Sequence, residues 1–243
     1  MNQHGSPTPN SGFMASHNRL AKAKKIIQVL TEASGSDADA LPLKQRLLDI
    51  GTGNGEIASY LASAYDVTSV DVSDQREIGT NFEFVQLTDD QLPFPERTFD
   101  IVVSNHVIEH VPCADQHLAE IARVLKPGGM AYLATPNRLW PLEVHYKLYC
   151  LHWLPTKLFL YLLQKSGRYH EDVRLLSWYG LQTKARKNFV CEVFSDRICK
   201  WPNRYAMSCS VQTARILGVI PLRLYRWMTW LHPTLIVVLY RHR

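Results

Sequence analysis

The 243-residue sequence predicts an α/β fold built on a doubly wound, mostly parallel sheet, and three observations carry that prediction. Short apolar runs alternate with helical segments between residues 46 and 137, the rhythm of βαβ units. The first run, RLLDI, ends in a glycine cluster directly before a helix-forming stretch. The chain closes on TLIVVLYR (234–241), a β-branched strand pattern reached after a long helical excursion, which predicts antiparallel pairing with CEVFSDRI (191–198) at one sheet edge.

Taken in order, residues 1–18 are polar and small, without the apolar centre of a secretory signal, and are expected to form a disordered tail. From Arg19 to Thr31 the apolar residues Leu20, Ala23, Ile26, Ile27 and Leu30 fall on one helical side, with Lys22, Lys24 and Lys25 on the other. SGSDADALP (34–42) has the composition of a linker. RLLDIG, DVTSVDVS, FEFVQL and FDIVVSN are strand candidates, and EIASYLASA follows the first of them as a helix. The helix DQHLAEIARVL stops at Lys126-Pro127-Gly128-Gly129, because proline and glycine cannot continue it, and MAYLAT is the next strand. Residues 138–176 are aromatic, His-rich and basic where the fold needs only a short connection, so they are expected to be an inserted helical, aromatic lid. Ser177 caps WYGLQTKARK, Asn188 ends it, and a second helical stretch runs from about Arg204 to Trp230 with a break near Pro221. The predicted organisation is a tail (1–18) followed by one domain (19–243) carrying the insertion 138–176.

Composition narrows the function classes. Hydrophobic residues make up 46% and charged residues 20%, an ordinary globular balance that excludes disordered and fibrous chains. The uncharged stretch Trp227–Tyr240 is fourteen residues, short of the roughly 18 that span a bilayer. Five cysteines with no C-x-x-C spacing argue against a zinc ribbon or a paired disulfide framework and fit a reducing cytoplasm. Residues 1–137 hold 10 Lys/Arg against 17 Asp/Glu, net −7, whereas residues 138–243 hold 17 against 5, net +12. The basic part could meet a membrane surface, nucleic acid or a phosphate-bearing substrate.

The strongest local signal is Asp49-Ile-Gly51-Thr-Gly53-Asn-Gly55, between an apolar run and a helix. Glycines in such a turn let backbone N–H groups approach a ligand closely, the geometry of a nucleotide cradle. The spacing is G-x-G-x-G, not the dinucleotide G-x-G-x-x-G, and no Gly-Lys-Ser/Thr follows to make a P-loop. Asp71 ends the next strand, where a carboxylate can accept hydrogen bonds from both ribose hydroxyls.

These features, with LPFPERTFDIVVSNHVIEHV and LAEIARVLKPGGMAYLATPN, resemble the class I S-adenosylmethionine-dependent methyltransferases, in the small-molecule, ubiquinone-biosynthesis-like subgroup. The resemblance covers about residues 44–137. It implies a seven-stranded sheet of order 3-2-1-4-5-7-6 with strand 7 antiparallel. It also implies that S-adenosylmethionine is the cofactor, with Asp49, Gly51, Thr52 and Gly53 around its methionine part, Asp71 on the ribose and Val72 beside the adenine. The family's usual Gly-Asp-Ala after the third strand is replaced by Leu87-Thr88-Asp89, so either Thr88 or Asp89 would reach the adenine amino group. Asn105 and His106 would lie near the sulfonium.

A hydroxyl acceptor needs alignment and a general base. His106, Glu109 and His110 form H-x-x-E-H at the expected start of the helix after the fourth strand, where positions i, i+3 and i+4 share a face. Either a histidine, His106 first, is the base, or the three hold a divalent metal, or Glu109 and His110 brace the helix. His145, soon after the fifth strand's exit, is the second catalytic candidate. KLYCLHWLPTKLFLYLLQK and RLYRWMTWL combine Trp and Leu with flanking Lys and Arg, as interfacial helices do, which would bring peripheral membrane contact and a lipid-linked acceptor. The expected reaction is methyl transfer to a hydroxyl of a small molecule, a phenol or a lipid-linked glycan. Two alternatives are an RNA methyltransferase, opposed by basic residues scattered among apolar rings, and an inactive scaffold of the same fold.

Overall fold

The computed structural model describes residues 9–35, 44–77, 81–89, 91–143, 148–167 and 173–242. Along the chain, α1 (Pro9–Ser34) precedes β1 (Arg46–Ile50), α2 (Glu56–Leu61), β2 (Asp66–Asp71), β3 (Glu83–Gln86) and β4 (Phe99–Asn105). Next come α3 (Ala114–Val124), β5 (Leu125–Pro136), the short strands β6 (Leu142–Glu143) and β7 (Leu148–Tyr149), α4 (Thr156–Lys165) and α5 (Trp178–Ala185). The chain then forms β8 (Phe189–Val193), α6 (Ser195–Lys200), α7 (Val211–Val219), α8 (Leu222–Trp227) and β9 (Thr234–Arg241).

Seven strands make one sheet in the order β3-β2-β1-β4-β5-β9-β8. With β8 and β9 as its sixth and seventh strands, this is the order 3-2-1-4-5-7-6. β9 runs antiparallel to both β5 and β8, and the other pairings are parallel. Central strands of such a sheet are covered on both faces and therefore read as continuous apolar runs. Leu47 and Leu48 of β1, adjacent and pointing to opposite faces, are both fully buried. Leu47, Val103, Ala134 and Ile236 belong to the layer under α1 and α2, whereas Leu48, Val102, Leu133 and Val237 pack against α3 and α5.

Four elements differ from the sequence expectation. Helix α1 starts at Pro9, so residues 9–18 of the expected tail carry helical backbone. CEVFSDRI is not one strand: β8 ends at Val193 and Ser195 opens α6. There the Ser195 hydroxyl donates to the Thr234 carbonyl (3.1 Å) and accepts from the Ile236 amide (2.7 Å), replacing the strand ladder with side-chain bonds. The fully buried Asp196 beside it pairs with Arg226 of α8 at 3.0 Å, which draws the chain away from the sheet. Strand β5 begins at Leu125, ahead of the glycines. Residues 138–176 contain the hairpin β6–β7 as well as α4, which packs Phe159 and Leu163 with Val173 in a small separate core. As expected, the Ser177 hydroxyl caps α5 by accepting from the Gly180 amide.

The carboxyl end of the sheet is tied together by Asn137, whose Nδ2 donates to the carbonyls of Trp230 and His232 (both 2.8 Å). This buried amide joins the exit of β5 to the entry of β9.

Candidate active site

The turn after β1 is built by backbone and two hydroxyls. The amides of Gly51 and Thr52 both donate to the Val70 carbonyl (2.8 and 3.3 Å), binding the turn to the end of β2. Gly51 and Gly53 have φ of +84° and +53°, the left-handed region that glycine enters without a Cβ penalty. The two positions differ in surroundings. A Cβ on Gly51 would stand 2.5 Å from Cγ2 of Val107, whereas one on Gly53 would meet no protein atom within 4 Å. The Gly53 amide donates to Oδ2 of Asp71 at 2.9 Å, so the carboxylate at the tip of β2 is held over the glycine turn.

Asp49 is buried beneath this turn and accepts a hydrogen bond from the Ser69 hydroxyl (2.9 Å). Ser69 in turn shares a 2.5 Å hydrogen bond with Thr52, so the Thr52 side chain is engaged inside the protein. Burial pushes the Asp49 carboxyl up to about 7; the Ser69 hydrogen bond opposes that shift and the negative charge of Asp71 adds to it. Beyond the strand ends, Ile50, Val72, Leu87, Asp89, Val107 and His117 contribute to the lining of a cavity of about 110 Å³. Asp89 shares this cleft with Val72, while Thr88 lines an adjoining one. Of the two candidates left open by the Leu-Thr-Asp departure, Asp89 is thus the one facing the same space as Val72.

After β4 the structure corrects the sequence reading. His106, Glu109 and His110 lie in a turn, and α3 does not begin until Ala114. His106 has φ of +60° and its amide donates to the Ala134 carbonyl of β5 (2.8 Å), a conformation no helix accommodates. The turn still brings the pair at i and i+3 together: Nδ1 of His106 lies 3.1 Å from Oε1 of Glu109. The other Glu109 oxygen accepts from the Thr135 hydroxyl at 2.8 Å. Burial alone would raise the Glu109 carboxyl, but His106, through its hydrogen bond and charge, and Thr135 outweigh it and hold the group below its ordinary value. The His106 side chain is 33% exposed while that of Glu109 is fully buried, so the ring can meet a reactant and the carboxylate cannot. Among the described residues, no three His, Cys, Asp or Glu side chains are grouped to hold a metal ion.

Sequence reasoning missed three contributors. Ser69 and Thr135 looked like ordinary strand residues, and their roles depend on cross-strand neighbours. His117 donates to or accepts from Ser104 at 3.0 Å and lines the cleft; burial lowers its pKa to about 4, against the opposing charge of Glu109, so the ring is neutral near neutral pH. Its place three residues after Ala114 and four before Ile121, on the apolar side of α3, was a readable signal. Asn105 sits at the end of β4, paired in register with Ala134. His145, the second catalytic candidate, lies outside the described residues.

The glycine turn under a strand-end carboxylate lies within residues 48–133, which match the Methyltransferase domain family, on a sheet whose order is the one the resemblance to class I S-adenosylmethionine-dependent methyltransferases implies. The chain is 32% identical over 165 residues to a ubiquinone biosynthesis O-methyltransferase of a Chelativorans species, covering 63% of this chain and 64% of that protein. A fatty-acid O-methyltransferase of Mycolicibacterium smegmatis is 38% identical over 95 residues, 35% of each chain. The chain spans between about half and two thirds of the length of the first curated relatives it matches, from 49% to 64%. Among solved structures, an S-adenosylmethionine-dependent methyltransferase from Mesorhizobium loti shares the fold with a TM-score of 0.55 at 15% identity, over 83% of this chain and 94% of that one.

Proposed function

We propose that this protein transfers a methyl group from S-adenosylmethionine to a hydroxyl of a small-molecule acceptor, with His106 as the general base. The observation that carries the reading is the His106–Glu109–Thr135 chain at the mouth of β4, beside the glycine turn. A carboxylate only accepts, so the His106 Nδ1 carries the proton given to Glu109, and Nε2 keeps the lone pair that can take a proton from a hydroxyl. Buried Glu109 then faces the charge that develops on the ring, and Thr135 fixes the carboxylate's orientation.

The glycine turn fits the cofactor because a Cβ at Gly53 would fill the space beside the Asp71 carboxylate. Asp49, Gly51, Thr52 and Gly53 would hold the methionine part, Asp71 the ribose, Val72 and Asp89 the adenine, and Asn105 would border the reacting centre. When bound, the cofactor supplies an electrophilic methyl group on a sulfonium. Calorimetric titration tests the site: the parent should bind S-adenosylmethionine at micromolar level, and Asp71→Ala should weaken binding about 10- to 100-fold, the worth of hydrogen bonds to a charged group. Parent-like binding by the variant would place the cofactor elsewhere.

The relatives named for ubiquinone biosynthesis and fatty acids support an acceptor with an apolar part, a phenol or a lipid-linked molecule such as a glycan on a lipid carrier. An RNA acceptor is opposed by how the basic residues are used: Arg197 pairs with Glu32 and Glu192, Arg204 with Glu32, and Arg226 with Asp196. The scaffold reading is opposed by the intact His106–Glu109 pair. No helix among the described residues is long and apolar enough to cross a membrane. Peripheral contact is favoured by α7 and α8, which expose Val211, Ile216, Val219, Leu224 and Trp227 beside the exposed Arg215 and Arg223. The protein should sediment with anionic vesicles at low salt, and Val219→Ser with Trp227→Ser should release it; a parent that stays in the supernatant ends this reading.

A further inference from the structure

Away from the strand-end cleft the molecule holds a cavity of about 510 Å³, between α1, the start of β9 and the α6–α8 excursion, and its walls include Ile198, Met207, Leu217, Tyr225 and Ile236. Protein interiors leave few voids larger than a water, and this volume lies in the roughly 300–1,000 Å³ range of small-molecule sites. Its roof is peculiar: neither α7 nor α8 has a single fully buried residue, although both are rich in apolar side chains. The roof is nevertheless fixed at its turn, where the Lys200 ammonium donates to the carbonyls of Gly218 and Ile220 and the Tyr225 hydroxyl donates to that of Leu217 (3.0 Å). The helices are therefore held over the space without filling it.

One wall residue of the cavity, Ile236, lies two strands from the end of β4. Asn105 pairs in register with Ala134, and Ala134 with Ile236, so Ile236 is two strand spacings, about 10 Å, from Asn105. Strand alternation turns Asn105 to the same face as Val103, Ala134 and Ile236, the face under α1. One cation lines this apolar space: the ammonium-bearing Lys25 of α1, half-buried, has no hydrogen bond or ion pair among the described residues. Burial, and next the charge of Lys22 one turn earlier, lowers its pKa, as expected for a cation lacking a counter-charge.

We propose that this cavity receives the hydrocarbon part of the methyl acceptor, with Lys25 pairing to an acidic group on the same molecule, so that the acceptor is an anionic amphiphile. The assignment rests on the methyltransferase reading above. It explains why an apolar space, an unpaired cation and an unpacked roof occur together two strands from Asn105.

Titration with dodecanoate and with 1-dodecanol, in parallel with S-adenosylmethionine, tests it. Dodecanoate should bind about tenfold tighter than dodecanol, the worth of one partly buried ion pair, and Lys25→Met should remove that preference. Leu217→Trp, a change at a partly exposed roof position, should fill the cavity and abolish binding of both amphiphiles while leaving S-adenosylmethionine affinity unchanged. Dodecanoate should also slow alkylation of Cys209, which lines the cavity, and not that of the exposed Cys150. S-adenosylmethionine binding with no amphiphile binding, or amphiphile binding indifferent to Leu217→Trp, overturns the proposal and leaves the proposed function standing. Amphiphile binding without S-adenosylmethionine binding overturns the acceptor assignment through the failure of the methyltransferase reading itself.

Discussion

Exchange of His106 for alanine is expected to lower kcat by about 10²- to 10⁴-fold, the usual contribution of a positioned general base, with S-adenosylmethionine affinity within about twofold of the parent. The companion change Glu109→Gln keeps the shape of the side chain but removes the negative charge and one of two acceptor oxygens: with the remaining oxygen on the Thr135 hydroxyl, the amide NH2 faces Nδ1 of His106. It should lower kcat by a comparable factor, about 10²- to 10⁴-fold, because Nδ1 must then accept, the ring proton sits on Nε2 and the lone pair that would take the acceptor's proton is lost. Glu109 lies inside the protein, 3.1 Å from His106 and 2.8 Å from Thr135, and does not reach the acceptor, so it is a positioning residue. A merely structural role would raise KM or weaken cofactor binding along with kcat. The split between an altered kcat and an unaltered KM, measured on both variants once an acceptor is in hand, therefore decides the matter. Variants that keep kcat within about threefold would mean that the proton leaves by another route.

Much of this architecture is written locally. Apolar runs such as RLLDI and FDIVVSN name the central strands, since a strand covered on both faces has no polar side to show. The glycine turn and Asp71 were legible for the same reason, because each is a short segment whose conformation follows from its own residues. What escaped was decided across the chain. Ser195 ends β8 because its hydroxyl meets Thr234 and Ile236, some forty residues on, and no window around CEVFSDRI contains that partner. The H-x-x-E-H spacing predicted three side chains on one helical face; the structure brings His106 and Glu109 together, but in a turn, which also places i and i+3 side by side. The left-handed conformation of His106, bonded to Ala134 on the neighbouring strand, rules out the helix. The 510 Å³ cavity was the least readable feature. It is assembled from α1, α6, α7, α8 and β9, and a space where packing is withheld leaves no periodic trace in any of them.

The second large effect concerns the cofactor turn. Gly53→Val should weaken S-adenosylmethionine binding more than about 100-fold while costing the fold little. The residue sits at φ +53°, and a side chain there costs about 1–2 kcal/mol through contact with its own backbone, more for a β-branched one. Its Cβ meets no protein atom within 4 Å, so that atom brings no clash of its own, and a loss of about 1–2 kcal/mol shifts Tm by only a few degrees in a chain of this length. Gly51→Ala is the contrasting case. Its methyl group would stand 2.5 Å from Cγ2 of Val107, and relieving the clash must move the turn between β1 and β2 against the one after β4. That variant should melt well below the parent, whereas Gly53→Val should melt near it and yet fail to bind. Thermal melting and calorimetric titration of the two proteins side by side separate a lost fold from a filled site. If Gly53→Val binds S-adenosylmethionine as the parent does, the space beside the Asp71 carboxylate is not where the methionine part lies.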